Sequence, residues 1–517
     1  MVKPRLKRST TYRRRQSVSG LLPRFKGRSL ALRVAQGLLI SAGLLLGQVA
    51  LPVEVQAAPL QGKVVAGKGN IGKDNVAHRI ITQQSHRLAI DWKSFDIGRA
   101  ESVRFAQPSS SATVLNRVLN GLPTSIAGSL TANGRVFIQN RAGVVFGKSA
   151  RVNVNSLFAT TLDISNDDFT ADRFEFAGGD DMGVVVNKGL IEAAEGGSVS
   201  LVGGSAANEG VIVAELGQVN LAAGKRATLT FDESGLLQFQ VDQDILENVE
   251  EVEDQVANSG EIRASGGTVI LTARAANQIF DRAINNTGII RAGRIEKKGG
   301  KVMLAGFGGP VRNSGSIDVS GSSGGTISIQ STRDLESSGT LTADASSGSS
   351  GDISLESSGT TLISGDGEAS ATSAQGQGGT VKVLGERAGL FDNAVVDVSG
   401  GSGGGTALVG GGYQGKNPDV RNAQRTYVSA TSQIKANAGD NGNGGTAVVW
   451  ADDITRFFGT IEAKGGTQSG DGGIAEVSGK NQLAMRGRVV LTAPNGETGS
   501  LLLDPEYFVV SDTDPSG

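Results

Sequence analysis

Two histidines, His78 and His86, and no cysteine leave this 517-residue chain few side chains for metal or nucleophilic chemistry. No His/Cys cluster suits zinc, and Gly439-Asp-Asn-Gly-Asn-Gly-Gly does not keep the calcium nonapeptide, so no metal and no cofactor are expected. Gly321-Ser-Ser323-Gly-Gly325 and Gly400-Gly-Ser402-Gly-Gly404 have the spacing of a nucleophile elbow, but that elbow needs a His downstream of its Ser, and both His lie upstream. They read as turns. Gly67-Lys-Gly69-Asn-Ile-Gly72 has dinucleotide-fingerprint spacing with Asp91 near the acidic position, yet Ile80-Ile-Thr-Gln-Gln alternates as a strand where a helix should open. Gly143-Val-Val-Phe-Gly147-Lys148-Ser149 is one residue short of a phosphate loop, because Ala142 stands where the first Gly belongs. Its Val-Val-Phe interior suits a buried strand better than a cradle of exposed amides.

The acidic pairs Asp167-Asp168, Asp180-Asp181 and Asp452-Asp453, the last near Arg456, are what a polysaccharide-cleaving enzyme could use. General acid and base must face each other across a cleft, whereas adjacent residues on a strand point to opposite faces. They read as turn acids, and the chain is expected not to be an enzyme.

The elements that carry these residues repeat. GGSVSL from Gly196, GGTVIL from Gly266, GGKVML from Gly299, GGTISI from Gly324, GGTVKV from Gly378, GGTALV from Gly404 and GGTAVV from Gly444 share one form. The anchors Gly300, Gly325, Gly351, Gly379 and Gly405 are spaced 25, 26, 28 and 26 residues apart. A fixed period in that range means stacked coils. A second strand follows a turn at Asn187-Lys-Gly, Asn208-Glu-Gly, Asn258-Ser-Gly, Asn286-Thr-Gly and Asn313-Ser-Gly, where Asn and Gly are read as tolerating positive φ. Each strand is too short to bury its apolar face alone and finds cover on the next coil. The expected fold is all-β, a right-handed parallel β-helix; a sandwich of repeated hairpins is the alternative that the period disfavours. Two short surface helices are expected, at Asp244–Val256, where Ile245, Val249, Val252 and Val256 share a side, and at Arg274–Ile284.

Residues 1–33 hold eleven Lys or Arg and no acid, and an apolar run from Val34 to Leu51 follows. Residues 1–57 read as an extended Sec signal cut between Ala57 and Ala58, with an uncleaved anchor as the alternative. Removing it takes eleven of 49 basic residues and one of 51 acidic, Glu54, leaving a formal charge near −12. Nucleic acid is therefore not an expected partner. The missing Cys fits a chain that must stay unfolded while it crosses an oxidising periplasm.

Residues 58–165 are non-repetitive and rich in large apolar side chains, as a cap over the first coil must be. Within them Leu115-Asn-Arg-Val, Ala132-Asn-Gly-Arg-Val-Phe, Asn140-Arg-Ala-Gly-Val-Val-Phe-Gly-Lys and Phe158-Ala-Thr-Thr-Leu-Asp-Ile-Ser resemble the secretion domain of filamentous haemagglutinin-type two-partner secretion exoproteins. Leu271-Thr-Ala-Arg-Ala-Ala-Asn and Gly499-Ser-Leu-Leu-Leu-Asp-Pro extend the likeness over most of the chain. The resemblance implies a secreted or surface-displayed adhesin or haemagglutinin of a Gram-negative bacterium, a virulence factor. Its implied partners are the Sec machinery, an outer-membrane transporter with periplasmic POTRA domains, and a host or cell-surface glycan or protein receptor. A polysaccharide-degrading enzyme and a haem or haem-carrier binder are the alternatives; two His, both in the cap, add nothing to the latter. The secretion turns are expected at Asn116, Asn140, Arg141, Ala142 and Gly143. The family commonly carries Asn-Pro-Asn-Gly where this chain has Asn140-Arg141-Ala142-Gly143, so the outer turn residues are kept and the middle pair is not. Residues 166–300 are expected to complete the secretion domain with coils that carry the helical excursions, and 301–517 to be Gly-rich β-helix repeats, expected to belong to a longer passenger because Asp512-Thr-Asp-Pro-Ser-Gly offers no evident terminal cap.

Overall fold

The computed structural model describes residues 58–72, 77–179, 181–232, 235–246, 252–276, 279–293 and 300–506. The expected leader with Ala57, Asp180, Glu247–Glu251 of the first expected helix, and Asp512–Gly517 lie outside the described residues.

Strand β1, Lys63–Ile71, runs antiparallel to β2, His78–Trp92. Residues 78–82 of β2 then pair in parallel with β3, Ser102–Ala106, and residues 87–92 with β4, Thr113–Val118. One long strand thus starts two faces of the solenoid, and β1 covers the edge it would otherwise leave open. A third face begins at Thr124–Ile126. Each later coil adds a parallel strand to each face, which makes the fold a parallel β-helix with an N-terminal cap.

Stacking in register explains the sequence period. Val114, Val136, Leu157, Val199 and Val219 sit directly over one another inside the first face, and Val269, Val302, Ile327, Ile353 and Val381 continue the row. All are buried. The Ile of each Asn-x-Gly-x-Ile unit builds a matching row on the second face, Ile191, Ile212, Ile262, Ile290 and Ile317. A strand alone would leave these side chains wet; each coil supplies the other half of its neighbour's core.

The Asn-x-Gly corners have a different cause from the one the sequence suggests. Neither the Asn nor the Gly takes positive φ there. The Asn side chains point inward and form a buried ladder: each Nδ2 donates to the next Oδ1, Asn187 to Asn208, Asn208 to Asn258 and Asn258 to Asn286 at 2.8 Å, then Asn286 to Asn313 at 2.7 Å. Burial is tolerable because each amide is satisfied along the stack. The Gly is required by close approach: a Cβ on Gly260 would lie 2.1 Å from Gly210 O, and one on Gly288 2.2 Å from Gly260 O. The anchor glycines obey the same rule, with a Cβ on Gly325 2.3 Å from Gly300 O and one on Gly351 1.9 Å from Gly325 O.

Neither expected surface helix forms among the described residues. Asp254–Asn258 is a strand between Ser205–Asn208 and Arg282–Asn286, and Val256 stacks on Ala206 and Ile284. The second candidate contributes Arg282–Asn286 to that same face. Parallel edges above and below offer a full ladder of hydrogen bonds, and this outweighs a one-sided helical pattern with no surface of its own to cover. The α-helix that is described, Asn166–Thr170, is capped by Ser165 Oγ, which accepts the Asp168 N–H at 3.0 Å.

One feature has no counterpart in the sequence reading. Phe174–Ala177, Arg226–Asp232 and Gly235–Asp242 form a separate antiparallel sheet over the outside of the first face. It buries the outward rings Phe137 and Phe158 under Phe174, Phe176 and Phe231, with centroids 4.6 Å apart for Phe158–Phe176 and 5.4 Å for Phe137–Phe174. The Arg135 guanidinium lies 4.3 Å over the Phe231 ring. The signal was available: Phe recurs at 169, 174, 176, 231 and 239, which is dense for a chain with 4% aromatic residues.

Candidate functional site: the Asn140–Gly143 corner

The strand Arg135–Gln139 ends in a tight turn that is over-determined by hydrogen bonds. Gly143 N donates to Asn140 O at 3.0 Å, closing the four-residue turn, and Ala142 N donates to Asn140 Oδ1, also at 3.0 Å. An Asn side chain mimicking a backbone acceptor is the usual reason for this residue at a turn start. Asn140 Nδ2 reaches the preceding coil, donating to Leu122 O at 2.8 Å and Thr124 Oγ1 at 2.9 Å, while its N–H donates to Thr160 O of the following coil. Asn140 is consequently buried.

Gly143 has φ +121°, and a Cβ there would sit 2.8 Å from Val184 O. Both backbone conformation and neighbouring coil demand glycine. Arg141 and Ala142, the departures from the family pattern, occupy the outer part of the turn; Arg141 Nη2 pairs with Asp163 Oδ2 at 2.7 Å on an exposed surface, and its carbonyl accepts Gly183 N–H. The turn closes without Pro because its constraint comes from Asn140 and from the coils on both sides.

Asn116 is not a turn residue. It lies within β4, fully buried between Ile90 and Ile138, accepting Trp92 Nε1–H at 3.0 Å and donating to Phe137 O at 3.2 Å. The Leu115-Asn-Arg-Val segment reads as a turn only if the inward Asn is taken for a surface one; a buried indole that needs an acceptor reverses that preference. Its neighbour Arg117, overlooked at the sequence level, links the corner together. Arg117 Nη1 meets Asp91 Oδ1 at 3.1 Å, Nε donates to Gln139 Oε1 at 3.0 Å, and Nη2 donates to Ile164 O and Asn166 Oδ1. Gln139 Nε2 in turn donates to Asp163, the partner of Arg141. A continuous polar chain therefore joins Asn116's strand to the outer face of the turn. A second buried staple, Gln107 Nε2 to Gln83 Oε1 at 2.9 Å, ties the first coils together at another corner.

The other sequence motifs fall where geometry gives them structural work. Gly67 and Gly69 lie in β1, and Val144–Phe146 is a strand with Val144 and Phe146 buried. Gly321 and Gly400 make single bridges at coil corners. His78 Nδ1 is 2.9 Å from Ser102 Oγ, and His86, its pKa lowered by burial and by Arg87, stands apart from it along β2. Asp168 is held below the usual carboxylate range by its hydrogen bonds to Ser165 and Arg173. Asp452 Oδ1 accepts Trp450 Nε1–H at 3.0 Å and Asn422 Nδ2–H at 3.2 Å, and Asp453 pairs with Arg425. Among the described residues no group of three or more His, Asp or Glu side chains gathers at one point. Ala58, on the far side of the expected cleavage, begins the described chain.

Residues 56–319, beginning beside the β1–β2 cap and running through the Asn140 corner and the Asn ladder, match the TPS secretion domain family. The chain belongs to that family. Its secretion domain is similar to known relatives from one organism. Two heme/hemopexin-binding proteins of Haemophilus influenzae are 31% identical over 268 residues and 34% identical over 257, in each case 48% of this chain. The chain spans only 28% and 27% of the length of those relatives. The HMW1 secretion domain from Haemophilus influenzae superimposes with a TM-score of 0.52 at 29% identity, covering 86% of this chain and all of that one. The likeness thus extends to the arrangement of coils as well as to the residues of the secretion domain.

Proposed function

We propose that this protein is a secreted exoprotein, exported across the outer membrane by a dedicated two-partner transporter, which acts outside the cell by binding rather than by catalysis. The observation that carries the reading is the match of residues 56–319 to the TPS secretion domain, on a fold whose first coils are covered by β1 and by the antiparallel sheet of Phe174–Ala177, Arg226–Asp232 and Gly235–Asp242. In this reading residues 1–57 direct Sec passage and are removed between Ala57 and Ala58. Periplasmic POTRA domains of the transporter then engage the segment containing Asn116, Asn140, Arg141, Ala142 and Gly143 before it folds. Engagement of the unfolded chain is what the burial of Asn116 and Asn140 favours, since the folded domain presents only Arg141 and Ala142 at this corner.

Coil-by-coil folding outside the cell biases transport outward. Each emerging coil buries apolar area worth about 25 cal/mol per Å² against the one before it and resists return. A surface adhesin or haemagglutinin whose receptor is a host or cell-surface glycan or protein is the end use that the long parallel faces suit. The names of the Haemophilus influenzae relatives favour a second reading, binding of haem or a haem carrier. Co-expression of the chain with and without its transporter tests the export step: the protein accumulates in the medium only when the transporter is present, and equal amounts in both cultures refute the dependence.

A further inference from the structure

The third face carries a pocket far from the secretion corner and beyond the matched domain. Its floor is a break in an outward column of side chains: Leu362, Gly389, Tyr427 and Arg456 stack in register on successive coils, and Gly389 contributes no side chain. A Cβ on Gly389 would lie 2.7 Å from the Phe391 ring, so the glycine is what admits that ring to the wall. Phe391 stacks on Tyr427 with centroids 4.7 Å apart and planes 29° apart, and Tyr427 meets Phe458 edge-on at 5.8 Å. The cavity is about 330 Å³.

Three guanidinium groups surround this half-buried aromatic platform. Arg387 and Arg425 are register neighbours on adjacent coils, and Arg456 adjoins Tyr427 on the next. All three are exposed; among the described residues the Arg387 and Arg456 side chains make no hydrogen bond or ion pair, and Arg425 has a 3.8 Å contact with Asp453. The acids adjoining the lining are Glu386 before Arg387, Asp392 after Phe391, Asp453 before Ile454, and Glu336, which stacks under Leu362 and pairs with Arg312. Gathering three guanidinium groups around one hollow, only Arg425 with an ion pair among the described residues, on a chain whose net charge is negative, favours an anion. The planar fork of Arg matches a carboxylate or sulfate in two parallel hydrogen bonds. A shallow hollow with a flat apolar floor and a few convergent polar groups suits a single ring system.

We propose that this pocket binds an acidic sugar ring of a surface glycan, its apolar face against Tyr427 and Phe391 and its carboxylate or sulfate held by Arg387, Arg425 and Arg456. The proposal rests on the reading of the chain as an extracellular binding protein and names the ligand class for it. The test uses the secreted chain and saturation-transfer NMR with four probes: a glucuronate disaccharide, sialyl-lactose, a sulfated disaccharide and neutral lactose. Saturation is expected on at least one acidic ring and not on lactose. Arg387→Ala combined with Arg456→Ala, both at exposed positions, weakens that binding about ten-fold or more while circular dichroism is unchanged. The carboxylated and sulfated probes separate the two kinds of acid. No transfer to any acidic probe, equal transfer to lactose, affinity unchanged in the double variant, or haem occupying the pocket in their place would each overturn the proposal. Adhesion of the double variant to cells at the wild-type level sinks this site while leaving the adhesin reading intact; sugar binding without any adhesion does the reverse.

Discussion

At the scale of single residues, the Asn140–Gly143 corner constrains a glycine and an asparagine for unlike reasons. Asn140 supplies an acceptor to the turn and donors to the preceding coil, whereas Gly143 supplies only the absence of a Cβ at φ +121°. Gly143→Val would combine a left-handed backbone with a clash against Val184 O, at a cost of about 1–3 kcal/mol for the backbone alone. We expect secreted yield to fall sharply for this variant in a strain carrying the transporter, as read by quantifying the chain in medium and periplasm. Secretion at the normal level would show that the turn is not needed for export. Asn116 teaches the converse, since its place in a recognisable motif says nothing of whether it faces solvent; the indole of Trp92 decided that.

Single elements show a second kind of control, exerted by what covers an outward face. The segment from Gly410 to Gln424, with a 3-10 turn at Tyr413–Gly415, folds over the outside of the first face and buries Val448 and Trp450 beside Leu384, Leu408 and Val420. Glu476 lies in the same outward column as Leu408 and Val448. It accepts the Gln414 N–H at 2.8 Å on one carboxylate oxygen. Burial raises its pKa, the Gln414 hydrogen bond and the Ser478 side chain oppose that, and Asp504 adds to the rise while Lys416 reduces it. The folded state therefore holds this proton more tightly than the unfolded chain, so stability from this group is greatest in acid and is lost as pH rises through the raised value. Glu476→Gln should remove the gain in resistance to limited proteolysis that the native 410–424 segment shows as pH falls through the raised value. Unchanged pH sensitivity in the variant would mean that another group controls the segment.

On the scale of the whole β-helix, stability is a sum over coils, each in contact only with its neighbours. A lesion in one coil should spread a short way along the axis and no farther. Gly351→Ala would place a Cβ 1.9 Å from Gly325 O, an overpacking that costs about 1–3 kcal/mol. Hydrogen exchange should then accelerate in the coils around Asp352–Ser357 while the strands of the secretion domain keep their protection. Uniform loss along the chain would instead mark a single cooperative unit. In the proposed export route, the same independence of neighbours would let folding proceed in the order in which coils emerge.

The sequence alone carried the coil period, the inward Val and Ile rows and the non-repetitive cap, because parallel stacking in register forces the same residue types to return at the same positions. Val269 and Val302 are legible for that reason, and so was the family likeness around Asn140. What stacking adds could not be read from one coil at a time. The inward turn of the Asn ladder, the strand at Asp254–Asn258 in place of a helix, the burial of Asn116 and the aromatic pocket over Gly389 all depend on partners 20 or more residues away. Local pattern ranks the conformations open to a segment, and the edges offered by neighbouring coils choose among them.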